Sequence, residues 1–434
     1  MSPVGMLVAI MLCEYLISST ALAFTTRRSR ARKLCLLMLL ATASIEIRLL
    51  SFLAGPELLR GVFAFSCLVK LLHFISIFHI LQVEIHQILN PVTSTSRIAC
   101  LRAALNCVTS TRGIGTPWEV KKRGSSPQSQ RQRLKKGHYI TRSLAILLWH
   151  YMALDLLNFG ALRYFHREWP HVLVDGAEFL TPGSVTRVEL LARLPLSFIL
   201  AANLRLLFAA IYGFLSVLCV TVQLSSPTDW PPLFGTLRDL QTFSIRGFWG
   251  QYWHQLLRWP LVIISTYIRR NFVPFPLSSR AQSIMDHVVV FSLSGVLHML
   301  SAVYAGVPGR TGAIFLFFFL NSVVIIVEDF LSKPARQGQE QGKKVGPRSS
   351  SRTDRPVGGK GGDRGSFLRF IWAFTWFYVS TPLFAYTALR LPVEKNAVMP
   401  VSFVEIFGAL PMVGVAVGLG WVIWAVTDGE GFSW

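Results

Sequence analysis

The sequence predicts an all-α, polytopic integral membrane protein with about nine transmembrane helices and one re-entrant or interfacial segment. Three observations predict it. Of the 434 residues, 52% are hydrophobic and only 15% charged, against roughly 25% charged in a soluble domain. Mean hydropathy is +0.46, more apolar surface than one water-soluble core hides and the reverse of a disordered composition. The apolar residues also gather into runs near 20 long, the length that crosses a bilayer as a helix. The chain 1–434 therefore reads as a single membrane-embedded domain.

Val4–Phe24, interrupted by Glu14, is the first span. No basic residue precedes it, while Arg27, Arg28, Arg30, Arg32 and Lys33 follow it. That order is the reverse of a cleavable signal peptide, so the segment reads as a retained span with its N-terminus outside the cytosol. Leu34–Ala54 carries Glu46 and Arg48, and Gly61–Val83 carries Lys70, His73 and His79. Ser143–Leu162 and Leu190–Val222 follow, separated by the more polar connection 163–189. Trp259–Ile268 is apolar for about half a crossing and is closed by Arg269 and Arg270. His287–Gly306, Gly312–Leu331, Phe367–Leu389 and Val404–Val426 complete the set.

The formal charge of +21 looks at first like a nucleic-acid binder. Its distribution says otherwise. Residues 97–142 hold eleven Lys/Arg against Glu119 alone, and 333–369 hold ten against Glu340, Asp354 and Asp363. Basic loops between apolar spans mark the cytosolic side of a membrane protein, so no nucleic-acid partner is expected. Keeping 25–33, 84–142 and 333–366 on one side requires Trp259–Ile268 to enter and leave the same face. The count becomes nine full crossings and one half-crossing. Segment 97–142 is then a basic cytosolic loop, 333–366 a Gly/Ser-rich disordered one, and 223–258 a cytosolic motif region.

Cys13, Cys35, Cys67, Cys100, Cys107 and Cys219 form no CxxC pair and no metal spacing, so they read as small buried hydrophobes and no metal is expected. The sequence lacks a GxSxG elbow, a P-loop, an HExxH and a Rossmann glycine set, which removes the usual support for hydrolase, ATPase, zinc-protease and dinucleotide readings. His171-Val-Leu-Val-Asp175-Gly176 matches an HxxxDG pattern of soluble acyltransferases, but it falls in the non-cytosolic connection 163–189 and is read as a decoy.

Two stretches carry chemistry. In Phe291-Ser-Leu-Ser-Gly-Val-Leu-His298, His298 lies well inside a span. An ionisable group there faces a cavity or a partner. Ser294 lies on the same helix face, and Gly295 permits close approach. A desolvated imidazole stays neutral and can take the proton of an alcohol as its oxygen attacks an acyl carbon. The competing reading is a buried histidine bonded between helices. In Ser244-Ile-Arg-Gly-Phe-Trp-Gly-Gln-Tyr-Trp-His-Gln-Leu-Leu-Arg258, His254 sits among aromatic rings between Arg246 and Arg258. An interfacial anchoring helix would look the same. The functional alternative is a cytosolic mouth in which the two arginines meet phosphates and Trp rings line a slot.

Trp-Pro-Pro-Leu-Phe-Gly at 230–235, Arg-x-Phe-Trp-Gly with Trp-His-Gln at 246–255, and Ser-Gly-x-x-His at 294–298 resemble the wax synthase-like branch of the membrane-bound O-acyltransferases, nearest to fungal members that acetylate terpenoids and meroterpenoids. The resemblance implies an enzyme that transfers an acyl group, most simply acetyl from acetyl-CoA as co-substrate, to a hydroxyl of a lipophilic alcohol, in the endoplasmic reticulum. It implies His298 as catalytic base and His254, where relatives carry Asn or Asp, as its companion. Trp249, Gly250, Trp253 and Gln255 belong to the same motif, and Ser294 and Gly295 to the Ser-Gly before the base. With Arg246 and Arg258 they form the expected substrate-binding set. Met299 follows the base where plant-type wax synthases often have an acidic residue, which argues against long-chain wax ester synthesis. A long-chain wax or sterol ester synthase is the alternative within the family, and a non-enzymatic transporter the alternative outside it.

Overall fold

The computed structural model describes residues 3–52, 57–89, 96–114, 116–119, 136–180, 186–235, 244–344, 362–391 and 401–426, with backbone alone at 58, 332–344, 362–366 and 425–426. Every regular element among them is helical. The helices are α1 (Pro3–Phe24), α2 (Arg30–Leu50), α3 (Glu57–Phe74), α4 (Arg97–Thr109), α5 (Lys136–Asp155), α6 (Arg163–Glu168), α7 (Arg187–Thr221), α8 (Ile245–Gly247), α9 (Arg258–Phe272), α10 (Ser279–Tyr304), α11 (Gly312–Lys344), α12 (Gly362–Leu389), α13 (Phe403–Phe407) and α14 (Ala409–Val426). Three π-helical stretches, Ile75–Ile80, Leu156–Leu162 and Phe248–Tyr252, continue α3, α5 and α8.

Helices occupy the nine predicted spans in whole or in part, the last broken at Gly408 into α13 and α14, and among the described residues six are long and apolar enough to cross a membrane: Pro3–Phe24, Leu59–Ile80, Lys136–Glu168, Arg187–Thr221, Ser279–Tyr304 and Gly312–Leu331. The protein is a membrane protein. The half-length segment is α9, a 15-residue helix. Several helices begin before their apolar runs because polar side chains cap and pair there. α10 starts at Ser279, where Ser278 Oγ accepts the Ala281 N–H; its Asp286 takes Ser265 Oγ–H at 2.7 Å and pairs with Arg269 at 3.4 Å. α7 starts on a reciprocal Thr186–Glu189 capping box. The α11 backbone continues to Lys344; residues 345–361 of the second basic loop and 120–135 of the first lie outside the described residues.

Packing arranges these helices around a cavity. α3 packs on α2, α9 and α10; α10 packs on α11, α11 on α12, α12 on α7, and α7 on α5. α3 and α7 both line the cavity but form no substantial interface with each other. Among the described residues the ring is therefore not closed by a direct α3–α7 interface. Apolar clusters fill the spaces between neighbours, such as Phe74, Ile77 and Trp259 on one side and Leu196, Leu200 and Tyr386 on the other.

Two buried sets of opposite charges are paired across the bundle. Lys70 of α3 pairs with Glu14 of α1 and with both carboxylate oxygens of Glu46 on α2, at 2.7 and 2.6 Å. All three are at most 3% exposed, which explains why the first three spans tolerate ionisable residues. Arg390, at the end of α12, pairs with Glu178 and, at 3.0 Å, with Asp175. Asp175 also pairs with Arg310. The HxxxDG aspartate is thus committed to two arginines that tie the connection after α6 to α12.

Candidate active site

The Trp-His motif is shaped by a short helical turn whose donors are satisfied from elsewhere. Ser244 Oγ accepts the Gly247 N–H at 2.9 Å. The Glu328 carboxylate of α11 accepts the Ile245 and Arg246 N–H groups, each at 3.0 Å; these donors have no partner within the turn. The chain then widens into the π-helical stretch Phe248–Tyr252. Gln255 closes the loop behind it, donating Nε2–H to the carbonyls of Trp249 and Trp253 at 2.9 and 2.8 Å. Its side chain belongs to the loop scaffold.

Trp249 is clamped at its indole nitrogen. Nε1–H donates to Asn321 Oδ1 at 3.0 Å, and Trp376 Nε1–H donates to the same oxygen at 3.1 Å. Asn321 in turn donates Nδ2–H to the Phe317 carbonyl at 2.8 Å, which fixes its amide. Trp253 stacks on Phe248. Gly250 lines the cavity, and a Cβ there would meet open space.

The two predicted arginines are not equivalent. Arg246 pairs with Asp329 and donates Nη2–H to His287 at 3.2 Å. Arg258 donates to Gln255 Oε1 at 3.2 Å and to the Gly250 carbonyl at 3.5 Å, both neutral acceptors. Burial first, and then the nearby Arg246 cation, push the Arg258 guanidinium below its ordinary pKa. An added anion there relieves both effects.

His298 sits on α10 with its ring fixed at both faces and one nitrogen. Its Nδ1–H donates to the Ser294 carbonyl at 2.8 Å. That bond selects the tautomer in which Nε2 keeps its lone pair. The ring stacks on Phe318 (4.4 Å between centroids, 27° between planes) and meets Phe65 and Phe384 at 4.9 and 5.8 Å. Ser294 contributes through its backbone oxygen. Gly295 brings α11 close: an added Cβ would lie 3.1 Å from Phe315 Cδ2 and 3.2 Å from its Cα and carbonyl oxygen. The predicted close approach at this glycine is therefore a helix–helix contact.

His254 follows the π-helical stretch and is ringed by Phe208, Trp253 and Phe234, with centroids 5.0, 5.4 and 5.8 Å away. Its Nδ1 is buried with no hydrogen-bond partner outside its own residue among the described residues. Burial first, and the His298 ring second, hold its pKa down to about 3, so the imidazole is neutral.

Both histidines line one cavity of about 1170 Å³. The same cavity reaches Arg258 and Trp249 at the motif end, Lys70 and His73 on α3, and the apolar face of α7. His73 Nε2 bonds the Cys107 carbonyl at 3.0 Å, tying α3 to α4. Sequence reading missed Asn321, Glu328 and Phe318. Asn321 did leave a signal, as a lone amide in the apolar run of α11.

A sequence profile of the Membrane bound O-acyl transferase family matches residues 230–320, the stretch that contains both histidines and the π-helical turn just before His254. The chain is 27% identical over 406 residues to acetyltransferase pyr8 of Aspergillus fumigatus, covering 91% of this chain and 89% of that one. In both respects the chain is similar to the membrane-bound O-acyltransferases. Acetyltransferase nanB of Aspergillus nanangensis is 27% identical over 92% of both chains. Acetyltransferase TRI7 of Fusarium sporotrichioides is 29% identical over 72% of this chain and 68% of its own. No solved structure is a significant match. The protein is an acyltransferase, similar to these fungal acetyltransferases.

Proposed function

We propose that this acyltransferase moves an acetyl group from acetyl-CoA to a hydroxyl of a lipophilic terpenoid or meroterpenoid. The observation that carries the reading is a single cavity lined by both His298 and His254. Its volume, about 1170 Å³, exceeds the roughly 300–1,000 Å³ of a site for one small molecule, which favours two substrates bound together. His298 Nε2 accepts the proton of the acceptor hydroxyl while that oxygen attacks the thioester carbon. The C–S bond breaks, and the CoA thiolate takes the proton back from His298. His254 donates a hydrogen bond to the thioester carbonyl as negative charge grows there. No covalent acyl-enzyme is required when both reactants are held in register.

Arg258 is the favoured partner for the CoA phosphates, since Arg246 is already paired with Asp329. Trp249, Gly250 and Trp253 flank the acyl slot, and Gln255, Ser294 and Gly295 hold its walls. Leu194 and Phe198 line the cavity yet are 47% and 69% exposed on α7, which supports entry of the acceptor from lipid between α3 and α7. The full chain acts as one unit of nine crossings, with α9 re-entrant and the basic loops and motif region cytosolic. The endoplasmic reticulum is the membrane that offers both substrates.

Acetyl is favoured over long acyl groups by the names of the relatives and by Met299 after the base. The test is competition among acyl-CoAs in membranes carrying the protein, with a panel of hydroxylated terpenoids. Free CoA and acetylated product from acetyl-CoA support the reading. Release from palmitoyl-CoA with a fatty alcohol, and none from acetyl-CoA, moves it to wax ester synthesis. Substrate flux without CoA release marks a transporter.

A further inference from the structure

A polar pair interrupts the apolar wall of the cavity away from the histidines. Asn158 lies in the π-helical stretch Leu156–Leu162 that continues α5, and Asn203 lies in the middle of α7. Both line the cavity. Their amides are oriented by a chain of bonds. Asn158 donates Nδ2–H to the Leu154 carbonyl at 2.8 Å. A carbonyl only accepts, so Asn158 must turn its Oδ1 the other way. That oxygen accepts from Asn203 Nδ2 at 2.9 Å. Asn203 is thereby left with Oδ1 as a free acceptor, without a partner among the described residues.

An unsatisfied amide oxygen in an apolar, membrane-embedded wall is costly. It is therefore expected to meet a ligand or water. Its neighbours give the scale: Leu200, Leu204 and Phe208 of the same helix also line the cavity. Phe208 touches His254, and Asn203 lies five residues before it, about 7.5 Å of helical rise. The widened π-turn at Asn158 is a device often found at functional sites.

We infer that Asn203, oriented by Asn158, is a specificity residue for the acceptor. Its Oδ1 accepts a hydrogen bond from a second hydroxyl on the lipophilic skeleton, one that is not acylated. This rests on the acetyltransferase reading and narrows its substrate class to acceptors with at least two oxygen functions. A monohydroxylated skeleton leaves the amide oxygen unpaired and binds less well. Sites built to bond a hydroxyl discriminate strongly against analogues that lack it.

The experiment uses a terpenoid diol and the mono-ol of the same skeleton, in nanodiscs of the full chain. Binding is read by quenching of tryptophan fluorescence and turnover by CoA release from acetyl-CoA. The wild type is expected to prefer the diol at least tenfold in both. Asn203→Leu is expected to lose tenfold or more with the diol and far less with the mono-ol, so the preference collapses. Asn158→Leu, which frees the Asn203 amide to turn, is expected to weaken the preference in part. Asn203→Thr, which keeps an oxygen on the same wall, is expected to retain some of it. Equal losses with diol and mono-ol would overturn the inference, as would a wild type that does not distinguish them. Diol-selective binding without any CoA release would leave the subsite standing and sink the acetyltransferase reading instead.

Discussion

The bundle contains two buried polar clusters built on opposite plans. Lys70, Glu14 and Glu46 join α1, α2 and α3, and further donors complete them. Thr42 bonds Glu14, and Cys67 Sγ–H reaches Glu46 at 3.1 Å. His298 and His254 also lie inside, but among the described residues neither has both ring nitrogens bonded to a neighbour. His298 spends Nδ1 on a backbone carbonyl, and His254 leaves its Nδ1 without an outside partner. Satisfied charges fix helices to one another, whereas nitrogens left unspent beside a large cavity are available to substrate. Burial alone does not separate the two plans; the hydrogen-bond inventory does.

Breaking the satisfied cluster should damage the fold first. Lys70→Met leaves two carboxylates facing each other in an apolar bundle, and removing one partner of a buried pair costs about 3–5 kcal/mol. The melting temperature in detergent should fall sharply, while the protein that remains folded keeps turnover within a few-fold of wild type. A variant that melts normally but is inactive would place Lys70 in the chemistry and erase the contrast. Asn321→Leu comes next. It removes the acceptor shared by Trp249 and Trp376 and should raise KM for acyl-CoA about tenfold, equivalent to about 1.4 kcal/mol, with little change in melting. Saturation kinetics with a fixed acceptor measures this.

His254→Asn tests the second plan through pH. The folded-state pKa of His254 is held at about 3, below the 6.5 or so of an unfolded chain. Between those values the unfolded state binds a proton that the folded state refuses. Stability contributed by the neutral ring is therefore complete above about pH 6.5 and is lost as pH falls towards 3. Replacing the ring by an amide should flatten the acid limb of the stability curve by up to one proton, measured by chemical denaturation across that window. The smallest effect separates the arginines. Arg258→Gln should weaken acyl-CoA binding several-fold and reduce its salt sensitivity, and Arg246→Gln should do so by less than half as much, because Asp329 already engages it.

Much of this was legible from residue order alone. The apolar runs marked helices at nine places, and the intramembrane His298 and the aromatic turn around His254 both stood out by residue type and position. What stayed hidden depends on contacts between residues distant in the chain. Glu328 caps a turn 83 residues earlier, Asn321 clamps two tryptophans from separate segments, and Asn158 orients Asn203 across two helices. The helices also begin ahead of the apolar runs, at Ser279 and Lys136. Hydropathy marks where a chain prefers lipid, whereas capping and pairing of polar side chains decide where it first becomes helical.

The central claim is that His298 Nε2 is the base of a direct acyl transfer. Free CoA and acetylated product should be measured from membranes carrying wild type or His298→Ala at equal protein level, with acetyl-CoA and a hydroxylated terpenoid. The account predicts a fall of about 10²–10⁴-fold in the variant, with melting close to wild type. Turnover unchanged by the substitution would contradict it and return the search for the base to His254.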